Sequence, residues 1–215
     1  MLRLEELQEA QRSKPEATQA VALSEAETDA ALALGRRPDY LARFLDDAAR
    51  CGMIGEETNK LTAYLAVTSR KLDEPLAVMV QSTSAAGKSR LMDAVVAFVP
   101  KEDCIKFSAM TGQALFYGGG GLDLRHKVLA IAEEEGARRA VYSLKLLLSE
   151  GEISILTTMK DPQTGQLQSK PCETKGPTSL ILTTTAVQLD DEMQNRCLVL
   201  AVNEDREQTA AIHRM

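Results

Sequence analysis

The residues best suited to chemistry are Gln81-Ser82-Thr83-Ser84-Ala85-Ala86-Gly87-Lys88-Ser89-Arg90, a run of small side chains closed by Gly-Lys-Ser. It follows the spacing G-x-x-x-x-G-K-[ST] with Ser82 at the first glycine and full agreement at the Gly-Lys-Ser end. Small residues let the main chain curl so that successive N–H groups face phosphate oxygens. A helix starting near Gly87 adds the positive end of its dipole. Lys88 is the residue to neutralise the outer phosphates of a nucleotide, and the Ser89 hydroxyl is the group to ligate magnesium. Ser82, Thr83, Ser84, Ala85, Ala86, Gly87 and Arg90 complete the cradle. Gly-Lys-Ser also closes ordinary strand-to-helix turns, but the apolar run before it and the helical pattern after it favour the phosphate reading. Ser82 restricts positive φ where the loop begins, which bears on loop geometry more than on phosphate binding.

Three acids, Glu133-Glu134-Glu135, follow the apolar run at residues 128–132. Carboxylates just beyond the carboxyl end of a buried strand stand where open α/β sheets hold their ligands. Glu133 would hold magnesium through its water shell, and Glu134 would polarise an attacking water, with Glu135 as the alternate if the register is shifted by one. The same acids would also suit the amino end of a helix, where the dipole favours negative charge. Thr184 ends another apolar run and could orient a water or feel a phosphate; it could equally be a β-branched strand residue. Arg196 stands immediately before the run at 198–202, from which it could reach a phosphate of a neighbouring subunit, or it could be an ordinary surface arginine.

These residues need a scaffold that alternates buried strands with helices. The apolar runs at 76–80, 104–108, 128–132, 180–184 and 198–202 are separated by polar or Gly-rich turns and helical patterns, the signature of a parallel sheet with crossover helices. Helices are predicted at 89–98, after Thr111, and at 137–148. Two β-favouring segments, 153–159 and 166–170, flank Lys160-Asp161-Pro162-Gln163-Thr164-Gly165 and predict an inserted hairpin with Lys160 near its tip. Nucleotide hydrolysis needs no hairpin, so this one suggests a lever, and its lysine a nucleic-acid backbone; a decorative hairpin with a solvated lysine is the alternative. Ahead of the sheet, residues 1–34 read as one or two exposed helices. Tyr40, Leu41, Phe44 and Leu45 mark an amphipathic helix, and Thr58 is a candidate cap for another that ends near Arg70-Lys71. The predicted division is a helical segment at 1–54 and an α/β core at 55–215.

The chain has 215 residues, 44% of them hydrophobic and 26% charged, which suits one α/β domain with a small appendage. A net charge of −6 argues against an all-round basic coat but leaves room for cations gathered on one surface. Cys51, Cys104, Cys172 and Cys197 are scattered and only two histidines occur, which speaks against zinc and for idle thiols in a reducing compartment. No apolar run is long enough to span a bilayer and the first residues lack a signal-peptide pattern, so a cytoplasmic protein without membrane contact is expected.

The order of these parts (phosphate loop, acidic strand end, hairpin, Thr-ended strand, Asn195-Arg196 before a last strand) resembles the AAA+ P-loop cores of minichromosome-maintenance-like helicases. It is also similar to the helicase-like segments of bacterial and mobile-element proteins described as DNA primases. The likeness covers about residues 55–206. It implies ATP and Mg2+ as cofactors, Glu133 and Glu134 as a Walker B pair, Thr184 as a first sensor and Arg196 as a finger acting on the next subunit. It further implies Lys160 as a DNA contact, a ring-forming homo-oligomer, and single-stranded DNA as partner. The sequence departs from that pattern at Ser82 for Gly, Glu133 for Asp and Thr184 for Asn, and the chain is expected to stop before a lid domain. A nucleotide-gated adaptor that does not move along DNA is the competing expectation. A small-molecule kinase is weaker, since no acceptor-binding segment is visible.

Overall fold

Strands buried on both faces must be apolar throughout, and the runs identified above become the strands of one sheet. The structure, a computed structural model, describes residues 23–83, 87–108, 115, 122–132, 134–160, 167–186 and 190–203; the side chains of 134–139, 157, 159, 160, 168 and 170 lie outside that description. Residues 1–22 and the helix expected after Thr111 also fall outside it.

The chain divides into two units, Met1–Pro38 and Asp39–Met215. In the first, α1 (Glu25–Gly35) is started by Ser24, whose hydroxyl accepts from the Glu27 amide while the Glu27 carboxylate accepts from the Ser24 amide, a reciprocal capping box.

The second unit begins with α2 (Tyr40–Arg50) and α3 (Glu57–Thr68), followed by a 3-10 turn at Ser69–Lys71. Phe44 and Ala48 recur at helical spacing and are buried, and the Phe44 ring stacks on Tyr64 with centroids 4.1 Å apart. The expected boundary at 54/55 therefore lies within this unit, because α2 and α3 share one apolar cluster. Thr58 is inside the first turn of α3 and does not cap it. The residue before the helix is Glu56, left-handed at φ 60°, and its carboxylate accepts from Asn59 Nδ2 and from the Asn203 amide.

The sheet comprises β1 (Ala77–Gln81), β2 (Cys104–Phe107), β4 (Lys127–Ile131), β7 (Thr178–Thr184) and β8 (Cys197–Ala201). All pairings are parallel, in the order β2-β4-β7-β1-β8. Each strand coincides with an expected run to within two residues at either end. The α/β class with a parallel sheet is thus as the sequence predicted. α4 (Lys88–Val96) follows β1 and α5 (Glu134–Glu150) follows β4. Val78, Val80, Val128, Ala130 and Ile181 face one way, into the cluster holding α3 and α4; Met79, Leu129, Ile131, Leu180 and Leu182 face the other, into the cluster holding α5.

β7 is buried along its whole length despite carrying Thr178, Ser179, Thr183 and Thr184. Burying hydroxyls requires partners. Ser179 Oγ donates to Leu76 O at 2.8 Å and to Ala66 O at 3.1 Å, and Thr178 Oγ1 donates to Lys127 O at 2.9 Å. These bonds pin β7 to the start of β1, to the end of α3 and to β4.

A second sheet is formed by β3 (Leu122–Asp123), β5 (Glu152–Lys160) and β6 (Leu167–Lys175), in the order β3-β6-β5. β5 and β6 are the expected hairpin, antiparallel with Lys160 opposite Leu167 at its outer end. Its second strand is longer than expected. It runs through Pro171 to Lys175, tolerating a residue without an N–H, and its last residues pair with β3. Ile153 and Thr174 are buried at the base, whereas Leu156 and Leu167 are each 74% exposed farther out.

Candidate functional site

At the carboxyl edge of the sheet three strand ends lie in register. Gln81, the last residue of β1, is beside Thr184 of β7 and Ala201 of β8, and Ile131 of β4 is beside Leu182. The Ser82 amide donates to Thr184 O at 3.3 Å, so the loop leaves β1 still tied to β7. Gln81 Nε2 donates to Ala186 O at 2.8 Å, and Thr184 Oγ1 accepts from the Ala186 amide at 3.1 Å. The tip of β7 is therefore locked against the start of the loop.

The loop ends at Gly87, with φ 93° and ψ 7°, a left-handed conformation that suits glycine and turns the chain into α4. Leu91 N donates to Gly87 O at 3.0 Å, so α4 begins at Lys88 and its first-turn amides lack intrahelical acceptors. Lys88 is only 8% exposed. Its ammonium donates to Ser82 O at 3.1 Å and to Thr83 O, turning back over its own loop. A buried ammonium held by carbonyl dipoles can exchange them for the full charge of a phosphate. Ser89 and Arg90 are exposed on the first turn of α4.

The remaining expected residues are placed as follows. Ser84, Ala85, Ala86 and Glu133 lie outside the described residues. Glu134 and Glu135 occupy the start of α5, just after β4, with their side chains outside the description. Thr184 is 7% exposed and ends β7 beside Gln81, next to the start of the loop. Lys160 is the last residue of β5, at the outer end of the hairpin, with its side chain outside the description. Arg196 is not brought to Lys88. Cys197 pairs with Ala77, so Arg196 stands at the amino edge of the sheet, about 16 Å of strand from Gln81. Whatever Arg196 serves, it is not the loop of its own chain.

Two residues were given no role of their own by the sequence reading. Gln81 joins the loop to the turn after β7, and the signal for it was a polar residue closing an apolar run directly ahead of the loop. Lys145, in α5, pairs with Glu192 at 2.7 Å and with Asp190 at 3.4 Å, and no local pattern pointed to it. Thiol chemistry is disfavoured at two of the four cysteines: burial pushes the Cys197 thiol up to about 12 and also raises Cys104. Among the described residues no helix is long and apolar enough to cross a membrane.

The fold and site define an α/β protein whose central parallel sheet presents a strand–loop–helix unit next to the end of a second, buried strand. No protein-family model matches the chain, and no curated protein matches it in sequence.

Proposed function

We propose that this chain is a P-loop ATPase core of the AAA+ type, the motor domain of a DNA helicase- or primase-type replication protein. The observation that carries the reading is the position of β7 between β1 and β4. The phosphate loop and the acids belong to strands that are not neighbours, and the polar end of the strand between them stands where both could act on one γ phosphate.

In this reading the loop amides and Lys88 bind and orient the triphosphate. Ser89 and Glu133 supply oxygen donors, the donor type that magnesium prefers. Magnesium, when bound, offsets charge on the phosphate oxygens. Glu134 aligns and polarises the attacking water and Thr184 holds its position, so catalysis is positioning plus electrostatic stabilisation. Arg196, far from its own loop, acts on the phosphate of an adjacent copy in a ring. Lys160, at the hairpin's outer end, contacts single-stranded DNA in the channel.

The test is ATP turnover with and without single-stranded DNA. The wild-type chain is expected to be stimulated by DNA, and Lys160→Ala to lose most of that stimulation while keeping its DNA-free rate. If Lys160→Ala responds to DNA as the wild type does, or if DNA stimulates neither protein, a nucleotide-gated adaptor is the better account.

A further inference from the structure

Arg196 is held on two sides. Its Nε donates to Ser149 Oγ at 2.7 Å, in the last turn of α5, and its Nη1 donates to Glu192 O at 2.8 Å, in α6 (Asp191–Gln194). A four-residue helix has too few internal bonds to persist alone. α6 is kept by the Asp190 carboxylate, which accepts from the Met193 amide at 2.9 Å, by the burial of Met193, and by Lys145 reaching across from α5. The Lys145 side chain is 19% exposed and spans both Asp190 and Glu192, so it ties the start of α6 to the middle of α5. Arg196, Ser149, Glu150, Asp73 and Thr178 line a cleft of about 580 Å³ at this amino edge.

α5 therefore joins three places. It starts with Glu134 at the carboxyl edge, runs about 25 Å across the sheet, and ends where it grips Arg196 and passes through Gly151 into the hairpin.

We infer that Lys145 and Ser149 are positioning residues for Arg196, fixing from α5 the point at which the guanidinium is offered to a second copy of this chain. The inference rests on the reading of Arg196 as a group acting on a neighbour's phosphate. It adds that the helix bearing one subunit's water-activating acid also sets the reach of that subunit's arginine toward the next.

Lys145→Met keeps the aliphatic stem and removes the ammonium. It is expected to lower kcat for ATP about tenfold, with KM for ATP within about twofold, as losses of orienting partners do. Lys145→Arg should recover most of the rate. Mixing Lys145→Met with Lys88→Ala subunits should regain turnover, because the intact loop of one then meets the well-placed Arg196 of the other. Hydrogen exchange should quicken at residues 191–196 in Lys145→Met and stay unchanged in β1 and β7. An unchanged kcat, a mixture no more active than its parts, or unaltered exchange at 191–196 would overturn the inference. Wild-type protein without any ATP turnover would instead overturn the ATPase reading and the neighbour's role with it, while the exchange result would still decide whether Lys145 places Arg196.

Discussion

Lys88→Ala is expected to reduce ATP turnover by about 10²- to 10³-fold, the usual cost of removing one preorganised charge from a transition state. The ammonium donates to the carbonyls of Ser82 and Thr83, so on the proposed ATPase reading it is already inside the loop before a triphosphate binds. On that reading the substitution removes the charge that follows the phosphate through the reaction, and it also removes two bonds that order the loop. Loss of those charge-assisted bonds costs roughly 1.5 kcal/mol or more each in loop order, which should appear mainly as a raised KM. Lys88→Arg should not substitute well, since a side chain only 8% exposed has little room for a guanidinium fork. Phosphate release measured over a range of ATP concentrations separates the two effects. Turnover unchanged by Lys88→Ala would remove the ATPase reading.

Gly176→Ala should have the largest effect on stability. Gly176 joins β6 to β7, and a Cβ placed on it would lie 2.0 Å from Gly151 O and 3.1 Å from Gly151 C, both main-chain atoms. Gly151, at φ 76°, is the turn from α5 into β5. The two ends of the inserted hairpin thus touch at a point where no side chain fits and no flexible side chain can move aside. The main chain itself would have to separate, at a cost of about 3 kcal/mol in a well-packed region. Denaturant unfolding should show this loss as a lower midpoint with an unchanged slope. A cost below about 1 kcal/mol would mean that the hairpin base yields easily and transmits little, contrary to the proposed reading of the hairpin as a lever.

Much of this architecture was legible because buried parallel strands have no alternative to continuous apolar runs. Met79 and Ile181, each flanked by apolar neighbours, belong to segments that could only be core. The helix start at Gly87-Lys88 was legible because the turn that makes it is local. What was not legible is what depends on partners distant in the chain. Nothing around Thr184 says that β7 would insert between β1 and β4; that order follows from how crossover helices cover two faces. The sequence reading ends the second hairpin strand at residue 170, yet the strand continues through Pro171 to Lys175, doing without one N–H at the proline. Thr58 looked like a cap from its type, but α3 begins after a left-handed Glu56 whose carboxylate is held by the Asn59 side chain and by the amide of Asn203, far along the chain. Lys145 carried no signal at all, since its partners are in and just before a four-residue helix more than forty positions later.

The most direct test of a triphosphate at the carboxyl edge is hydrogen exchange on the wild-type chain with and without Mg-ATP. Slowed exchange is predicted at residues 82–91 and at 183–186, with AMP producing little of it. Protection confined to other segments, or none at saturating nucleotide, would contradict a phosphate site built from this loop.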